Sequence, residues 1–262
     1  MLERRGQKER GKHSLENKAN KKDIPSINGT LRAHSLQIPE VIWKAKGMLV
    51  LGRRIKSVLF STDIAIIRNC NADAVLAVYP FTPQQIISQT IINASSIPVF
   101  AGVGGGTTTG VRSVIMARDA EAHGAFGVVV NGPMKNDIIR MMKQAVDIPI
   151  IVTVLNSKVD IQARLDAGAS ILNVSAAANT PQVVRDIRKK FPKVPIIATG
   201  GPTDESILET IEAGANTISY TPPSCAQIFG QMMDNYRADA DKADLTNTAT
   251  DQALMQMFSI LD

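Results

Sequence analysis

IEAGANTISY, residues 211–220, contains a phrase that the chain uses three times. Glu121-Ala122-His123-Gly124-Ala125 and Leu165-Asp166-Ala167-Gly168-Ala169 precede Ile211-Glu212-Ala213-Gly214-Ala215 at intervals of about 45 residues. In each, an amphipathic stretch ends on glycine, the residue that takes up the left-handed conformation at least cost, and an alanine lets a β-branched run begin close to the helix it follows. Ile-Pro or Val-Pro at 97–98, 148–149 and 194–195 opens such a run, at a position where a missing N–H is tolerated. Working outward gives eight candidate strands: 57–60, 74–79, 98–102, 127–131, 149–154, 170–175, 195–199 and 217–221. The intervals have helical spacing, as in Val183, Val184 and Ile187 with Arg188, Lys189 and Lys190 on the other face. Cap signals stand at Thr62-Asp63, Thr107 to Thr109, Thr180-Pro181 and Thr203-Asp204-Glu205. Continuously apolar strands alternating with helices predict a parallel sheet covered on its outer face. Eight units in roughly 180 residues predict that it closes into an α/β (β/α)8 barrel, a TIM barrel, over residues 39–237.

Two attachments flank this core. PEVIWKAKGMLVLG, 39–52, predicts a helix whose Trp43 and leucines plug the barrel's N-terminal end or meet a second subunit. Residues 238–262 turn polar and end in Leu254, Met257, Phe258 and Leu261, spaced for one helical face that packs on the barrel or on a partner protomer, so a homo-oligomer is expected. Residues 1–38 read as a basic, solvated, flexible arm. Eight Lys/Arg against four acids in 1–24 supply +4 of the chain's net +5. With no aromatic residues there to stack on bases, nucleic acid is an unlikely partner for the arm.

Composition excludes further classes. At 44% hydrophobic and 20% charged the chain is ordinary for a soluble globular protein, and no stretch is long and apolar enough to span a membrane. No apolar run follows the basic start as a signal peptide would require, so a cytoplasmic location is expected. The two cysteines, Cys70 and Cys225, lie outside any metal or redox spacing and predict free, buried thiols.

In a parallel barrel the site lies at the strands' C-terminal ends. Those ends carry Ser61-Thr62-Asp63, Tyr79, Gly104-Gly105-Gly106-Thr107, Asn131 with Lys135, Asn173 with Ser175, Gly200-Gly201, and Thr221 with Ser224. The rim is rich in Asn, Ser, Thr and Gly and poor in acids, bases and soft ligands; none of His13, His34 and His123 falls there. A two-metal hydrolase and a paired-carboxylate glycosidase are therefore not expected, and neither a metal nor a cofactor is. Asp63, Lys135 and Tyr79 are the candidates for proton transfer, each with a plain structural alternative: a helix cap, a solvated lysine, a packed tyrosine.

AGVGGGTTTG, 101–110, fails as a P-loop, since Val111 stands where the lysine belongs, and as a G-x-G-x-x-G fingerprint, since Thr107 replaces the last glycine. What remains is a turn whose bare N–H groups, with the positive end of the third helix, can hold an anion. Gly200-Gly201, helped by Thr221 and Ser224, is the second such candidate.

IPVFAGVGGGTTTGVRSVIMARDAEAHGAFGVVV, 97–130, resembles the third-to-fourth-strand segment of the dihydrodipicolinate synthase and N-acetylneuraminate lyase family. VPIIATGGPTDESILETIEAGANTISY, 194–220, is similar to the seventh and eighth units of the 2-keto-3-deoxy-6-phosphogluconate aldolases. These resemblances imply an aldolase-type barrel with an anion site at Gly104 and Gly200-Gly201. Both families place a Schiff-base lysine on the sixth strand, where 169–175 has none, and the synthase family's tyrosine after the fourth strand is replaced by Asn131-Gly132-Pro133. The expectation is therefore an enzyme acting on a small phosphorylated or carboxylated metabolite as lyase, isomerase or hydrolase, without class I aldolase chemistry. The alternatives are a non-catalytic metabolite- or partner-binding barrel and, behind it, an arm that binds RNA.

Overall fold

The three glycines of the repeated phrase, Gly124, Gly168 and Gly214, have φ of +91°, +114° and +110°. The amide that follows each one returns to a carbonyl five residues back, Ala125 to Ala120 at 2.9 Å, Ala169 to Arg164 at 3.1 Å and Ala215 to Thr210 at 3.3 Å, which satisfies the open carbonyls of the helix end. The alanines are buried, so helix and next strand pack closely. This local rule, applied along the chain, builds the fold.

The computed structural model describes residues 35–244 together with Pro25 and Ile27. The basic arm over 1–24 and the apolar face of Leu254, Met257, Phe258 and Leu261 lie outside the described residues. After a one-turn 3-10 helix, Glu40–Lys44, strands β1 (Met48–Val50) and β2 (Arg53–Ile55) form an antiparallel hairpin. Leu51 and Gly52 turn it with φ of 44° and 81°, the primed turn that matches strand twist. Eight parallel strands then close the barrel: β3 (Ser57–Phe60), β4 (Ala74–Ala77), β5 (Val99–Gly104), β6 (Gly127–Val130), β7 (Ile150–Val154), β8 (Ile171–Val174), β9 (Ile196–Thr199) and β10 (Thr217–Tyr220), with β10 pairing back to β3. Between and after them run α1 (Ile64–Arg68), α2 (Gln85–Ala94), α3 (Val111–Ala122), α4 (Asn136–Ala145), α5 (Ile161–Asp166), α6 (Thr180–Lys190), α7 (Asp204–Glu212) and α8 (Cys225–Asp244). The (β/α)8 architecture is the one the repeat predicts, and each expected strand is present.

The plug differs from the expectation. Residues 39–52 do not form one helix: Gly47 and the Leu51-Gly52 turn have positive φ, and Met48, Leu49 and Val50 pair with Ile55, Arg54 and Arg53 across the hairpin instead. Trp43 is 36% exposed and Leu49 and Leu51 point outward, while Met48, Val50 and Ile55 pack with Val58, Phe100, Val129, Ile151 and Ile197 inside the barrel. Thr217 Oγ1 at the foot of β10 donates to the Ile55 carbonyl at 2.7 Å and ties the hairpin in. Asp73 caps the same end, its carboxylate accepting from the amides of Lys56 and Ser57 at 2.8 and 3.1 Å.

A second cluster lies outside the barrel wall, where Leu59, Val75, Leu172, Ile196 and Ile218 meet the helices' apolar faces. α8 joins it only through its first turn, Cys225 and Ile228; further along, Phe229, Met232, Met233 and Tyr236 are exposed. No helix among the described residues is long and apolar enough to cross a membrane.

Candidate functional site

The end of β5 departs from regular pairing. Opposite β6 its register shifts between Gly102 and Gly104, a bulge that turns the chain over the barrel mouth. Gly104 and Gly105 follow with φ of +126° and +109°. A Cβ on Gly105 would lie 2.5 Å from the Asn131 amide nitrogen, so only glycine permits this approach of the third unit's loop to the fourth. Two hydrogen bonds fix it: the Gly105 amide donates to the Thr108 carbonyl at 2.8 Å, and the Asn131 amide to the Gly104 carbonyl at 2.9 Å.

The folded loop shapes a cavity of about 100 Å³ at the C-terminal ends of β4, β5 and β6. Tyr79, Gly104, Gly106, Thr107 and Asn131 line it together with Val78, Gly102 and Val129. Five of the expected residues thus converge. Among the described residues the amides of Gly106 and Thr107 have no backbone acceptor, and there is open space where a Cβ on Gly106 would stand. The cradle is not on the helix end, as the sequence suggested. Gly110, at φ +69°, is the N-cap of α3, which begins at Val111, so Gly106 and Thr107 line the cavity from the loop and not from the helix terminus.

The proton-transfer candidates separate. Tyr79 lines the cavity, and its hydroxyl oxygen accepts the Gln84 amide at 2.8 Å, which leaves its own O–H to donate. Lys135 is exposed at the N-cap of α4 and does not line the cavity. Asp63 caps α1, accepting from the amides of Ala65 and Ile66 at 2.9 and 3.2 Å. The Cys225 thiol and these amides hold its carboxyl below the usual range, against a smaller opposing effect of desolvation from partial burial. A carboxylate so held is a weaker base, and the same contact pushes the Cys225 thiol up.

Across the mouth the barrel interior is polar. Ile151, Ile171 and Ile197 form its lower, apolar layer, and two residues further along β7, β8 and β9 the same inward face carries Thr153, Asn173 and Thr199. On β10 the inward pair is Thr217 and Ser219. Asn173 Nδ2 donates to Thr153 Oγ1 at 3.4 Å and Thr199 Oγ1 to Ser175 Oγ at 3.4 Å, both long contacts. Asn173 Oδ1 is buried without a partner, which costs about 1–3 kcal/mol unless something arrives to fill it. β8 is the sixth barrel strand, and Asn173 is its buried polar residue.

The second expected anion site has structural employment. A Cβ on Gly200 would lie 2.8 Å from both Ile207 and Ile218, and one on Gly201, at φ +85°, 2.5 Å from Ser206 Oγ. Thr203 and Ser206 form a capping box at the start of α7, and Asp204 and Glu205 fill its first turn with negative charge. Ser224 Oγ accepts the Gln227 amide at 3.2 Å, and Thr221 is exposed.

Arg164 is a positioning residue that the sequence reading missed. From α5 its guanidinium donates to the carbonyls of Met134 and Gly132, the latter at 2.7 Å, and to Asn136 Oδ1 at 2.8 Å. It thereby holds the loop that follows Asn131; desolvation lowers its pKa. An arginine inside a helical stretch carries no local signal of this task.

No known protein family matches the chain. It is 28% identical over 176 residues to a 4-hydroxy-tetrahydrodipicolinate synthase of Gluconacetobacter diazotrophicus, a match covering 60% of this chain and 58% of that protein's length. Among solved structures it is similar to 2,3-dimethylmalate lyase, a PEP mutase/isocitrate lyase superfamily member, with a TM-score of 0.55 at 14% identity, covering 78% of this chain and 85% of that one. A phosphonopyruvate hydrolase complexed with oxalate and Mg++ gives 0.52 at 16% identity, covering 79% and 93%. At these identities the structures establish the barrel fold. The synthase is consistent with an aldolase-type barrel, whereas the lyase belongs to a different superfamily from the two resembled in sequence.

Magnesium, as in that hydrolase, requires hard oxygen ligands, carboxylates above all. The polar side chains that line this cavity are hydroxyls and the Asn131 amide, so the lining itself supplies no carboxylate for the ion, and Asp63 caps α1 outside it.

Proposed function

We infer that this barrel takes a small carboxylated or phosphorylated metabolite at its mouth and acts on it as a lyase, isomerase or hydrolase that forms no Schiff base. One observation carries the reading: Gly106 and Thr107, whose amides have no backbone acceptor, line a cavity of about 100 Å³ together with Tyr79 and Asn131. Amide N–H groups held by a rigid turn bind anionic oxygens without any charged side chain. The volume suits the carboxylate or phosphate end of a metabolite, and the Tyr79 O–H is a proton donor within the lining. The lyase and hydrolase among the structural neighbours are consistent with such chemistry.

A non-catalytic binding barrel is the second reading. It is favoured by the lining itself, in which Tyr79 is the one titratable side chain. Thermal-shift and NMR titration with oxalate, pyruvate, phosphonopyruvate and inorganic phosphate, followed by turnover assays on whatever binds, separates the two. Binding that perturbs the Gly106 and Thr107 amides supports the site, and turnover abolished in Tyr79→Phe supports the enzyme. If no probe moves those amides at millimolar concentration, the reading falls.

A further inference from the structure

The polar layer of β7 to β10 has no task in the reading above. A barrel interior built for stability alone is filled by branched apolar side chains, as it is one layer lower in this molecule. Here Thr153, Asn173 and Ser219 are each at most 8% exposed, and Asn173 is 7% exposed. Their mutual contacts are few and long, and Asn173 Oδ1 has no partner at all. A buried acceptor left open in an otherwise well-satisfied barrel marks a position completed by something that enters it.

The chemistry of that entrant is constrained. Oδ1 only accepts, so the entrant brings a hydrogen-bond donor. Its neighbours are the Thr153 hydroxyl and the aliphatic lower layer, with no cluster of carboxylates among the described residues to balance an ammonium ion. A neutral hydroxyl meets both conditions. β8 lies three strands from β5, the strand that leads into Gly106 and Thr107, which is about 14 Å along the barrel wall.

We propose that Asn173, oriented by Thr153, receives a hydroxyl group of a ligand whose anionic end lies against Gly106 and Thr107, so that the ligand is a hydroxylated acid of about six carbons, bridging a gap of that order with a hydrogen bond at each end. The anionic end rests on the reading given under Proposed function; the hydroxyl subsite rests on Asn173 alone.

The test uses the full chain, labelled with ¹⁵N, and three probes: 6-hydroxyhexanoate, hexanoate and neutral 1,6-hexanediol. The hydroxy acid is expected to bind about tenfold more tightly than hexanoate and to move the Asn173 side-chain amide resonances. Asn173→Leu is expected to lose that preference, with Asn173→Ser as the second variant where leucine prevents folding. Equal affinity for the two acids overturns the hydroxyl subsite while leaving the anion site standing. Diol-induced shifts at Asn173 with no binding of either acid sustain the subsite and overturn the anion site. If no probe moves Asn173, an ordered water fills the position and the proposal is wrong.

Discussion

Arg164 Nη2 donates to the carbonyl of Gly132 at 2.7 Å, so a helix of one repeat holds the loop at the mouth of the repeat before it. The same guanidinium reaches the Met134 carbonyl and Asn136 Oδ1, and three acceptors lose their donor together if it is removed. Hydrogen bonds from a charged donor contribute about 1.5–3 kcal/mol each at most, and a partly buried network is not additive. Arg164→Ala is expected to lower stability by about 2–3 kcal/mol in urea denaturation. Arg164→Lys is expected to recover less than half, because an ammonium cannot span the fork. An alanine variant as stable as the parent would show that the loop holds itself.

Gly105 and Gly106 are adjacent and predict opposite results. Alanine at Gly105 must adopt φ +109° and drive its Cβ to within 2.5 Å of the Asn131 nitrogen, whereas alanine at Gly106 meets nothing within 4 Å. The strained backbone alone costs about 1–3 kcal/mol, and the clash adds to it by prising β5 from β6. Gly105→Ala is therefore expected to lower Tm by several degrees and abolish anion binding, and Gly106→Ala to leave Tm within a degree or two. Gly106→Asp is expected to fold yet reject anions, since it sets a carboxylate beside the free amides. Undiminished binding by Gly106→Asp would locate the anion elsewhere.

How much of this was legible follows from where each signal resides. The helix ends at Gly124, Gly168 and Gly214 are written locally, in one residue and its conformational freedom, and from them the strands and the barrel could be read. Strand ends were less legible: β5 runs on to Gly104 because a bulge against β6 re-pairs it, a fact about two strands rather than one. The same holds for the start of α3, where three threonines look like caps but the backbone needs Gly110. Grouping Tyr79, Gly104 to Thr107 and Asn131 at one mouth was possible because strand ends share a rim in any parallel barrel. The grip of Arg164 on a loop some thirty residues away, and the open bond of Asn173, depend on packing between units and left no mark in local sequence. For Asp63 the two readings, cap and base, look identical in sequence, and its amide partners give it the cap.

The Asp63 and Cys225 pair predicts how stability varies with pH. The folded-state carboxyl titrates below its ordinary value of 3.8, so its contribution is complete above that value and is lost as pH falls through the depressed one. The thiol titrates above its ordinary value of 9.0, so its contribution is complete below that value and is lost as pH rises through the raised one. Asp63→Asn keeps a capping oxygen but removes the charge. It is expected to change Tm little at pH 7, to flatten the acid limb and to speed alkylation of Cys225 by iodoacetamide at pH 8. Asp63→Ala also loses the cap and is expected to cost about 1 kcal/mol. If Asp63→Asn leaves both the acid limb and the alkylation rate unaltered, the two groups do not sense each other.

The repeated glycines allow a graded experiment, because all three share a left-handed φ and differ in what surrounds them. A Cβ on Gly124 would meet nothing within 4 Å, one on Gly168 would stand 2.7 Å from Lys143 Cβ, and one on Gly214 would stand 2.8 Å from Arg188 Cγ. Backbone strain costs about 1–2 kcal/mol for a residue with a Cβ, and is common to the series. Lys143 presents its first side-chain carbon, which cannot swing aside without moving α4, so Gly168→Ala carries the clash in full. Arg188 presents a carbon further out, yet its guanidinium is fixed by the carbonyls of Gly214 and Val194 at 2.7 and 2.5 Å and by Asn216 Oδ1, so yielding there breaks a network. Urea denaturation is expected to rank the variants Gly124→Ala as least destabilised, by about 1 kcal/mol, with Gly168→Ala and Gly214→Ala each beyond about 2 kcal/mol. Equal losses in all three would mean that φ alone selects glycine and that the close helix-to-helix approach contributes nothing to the choice.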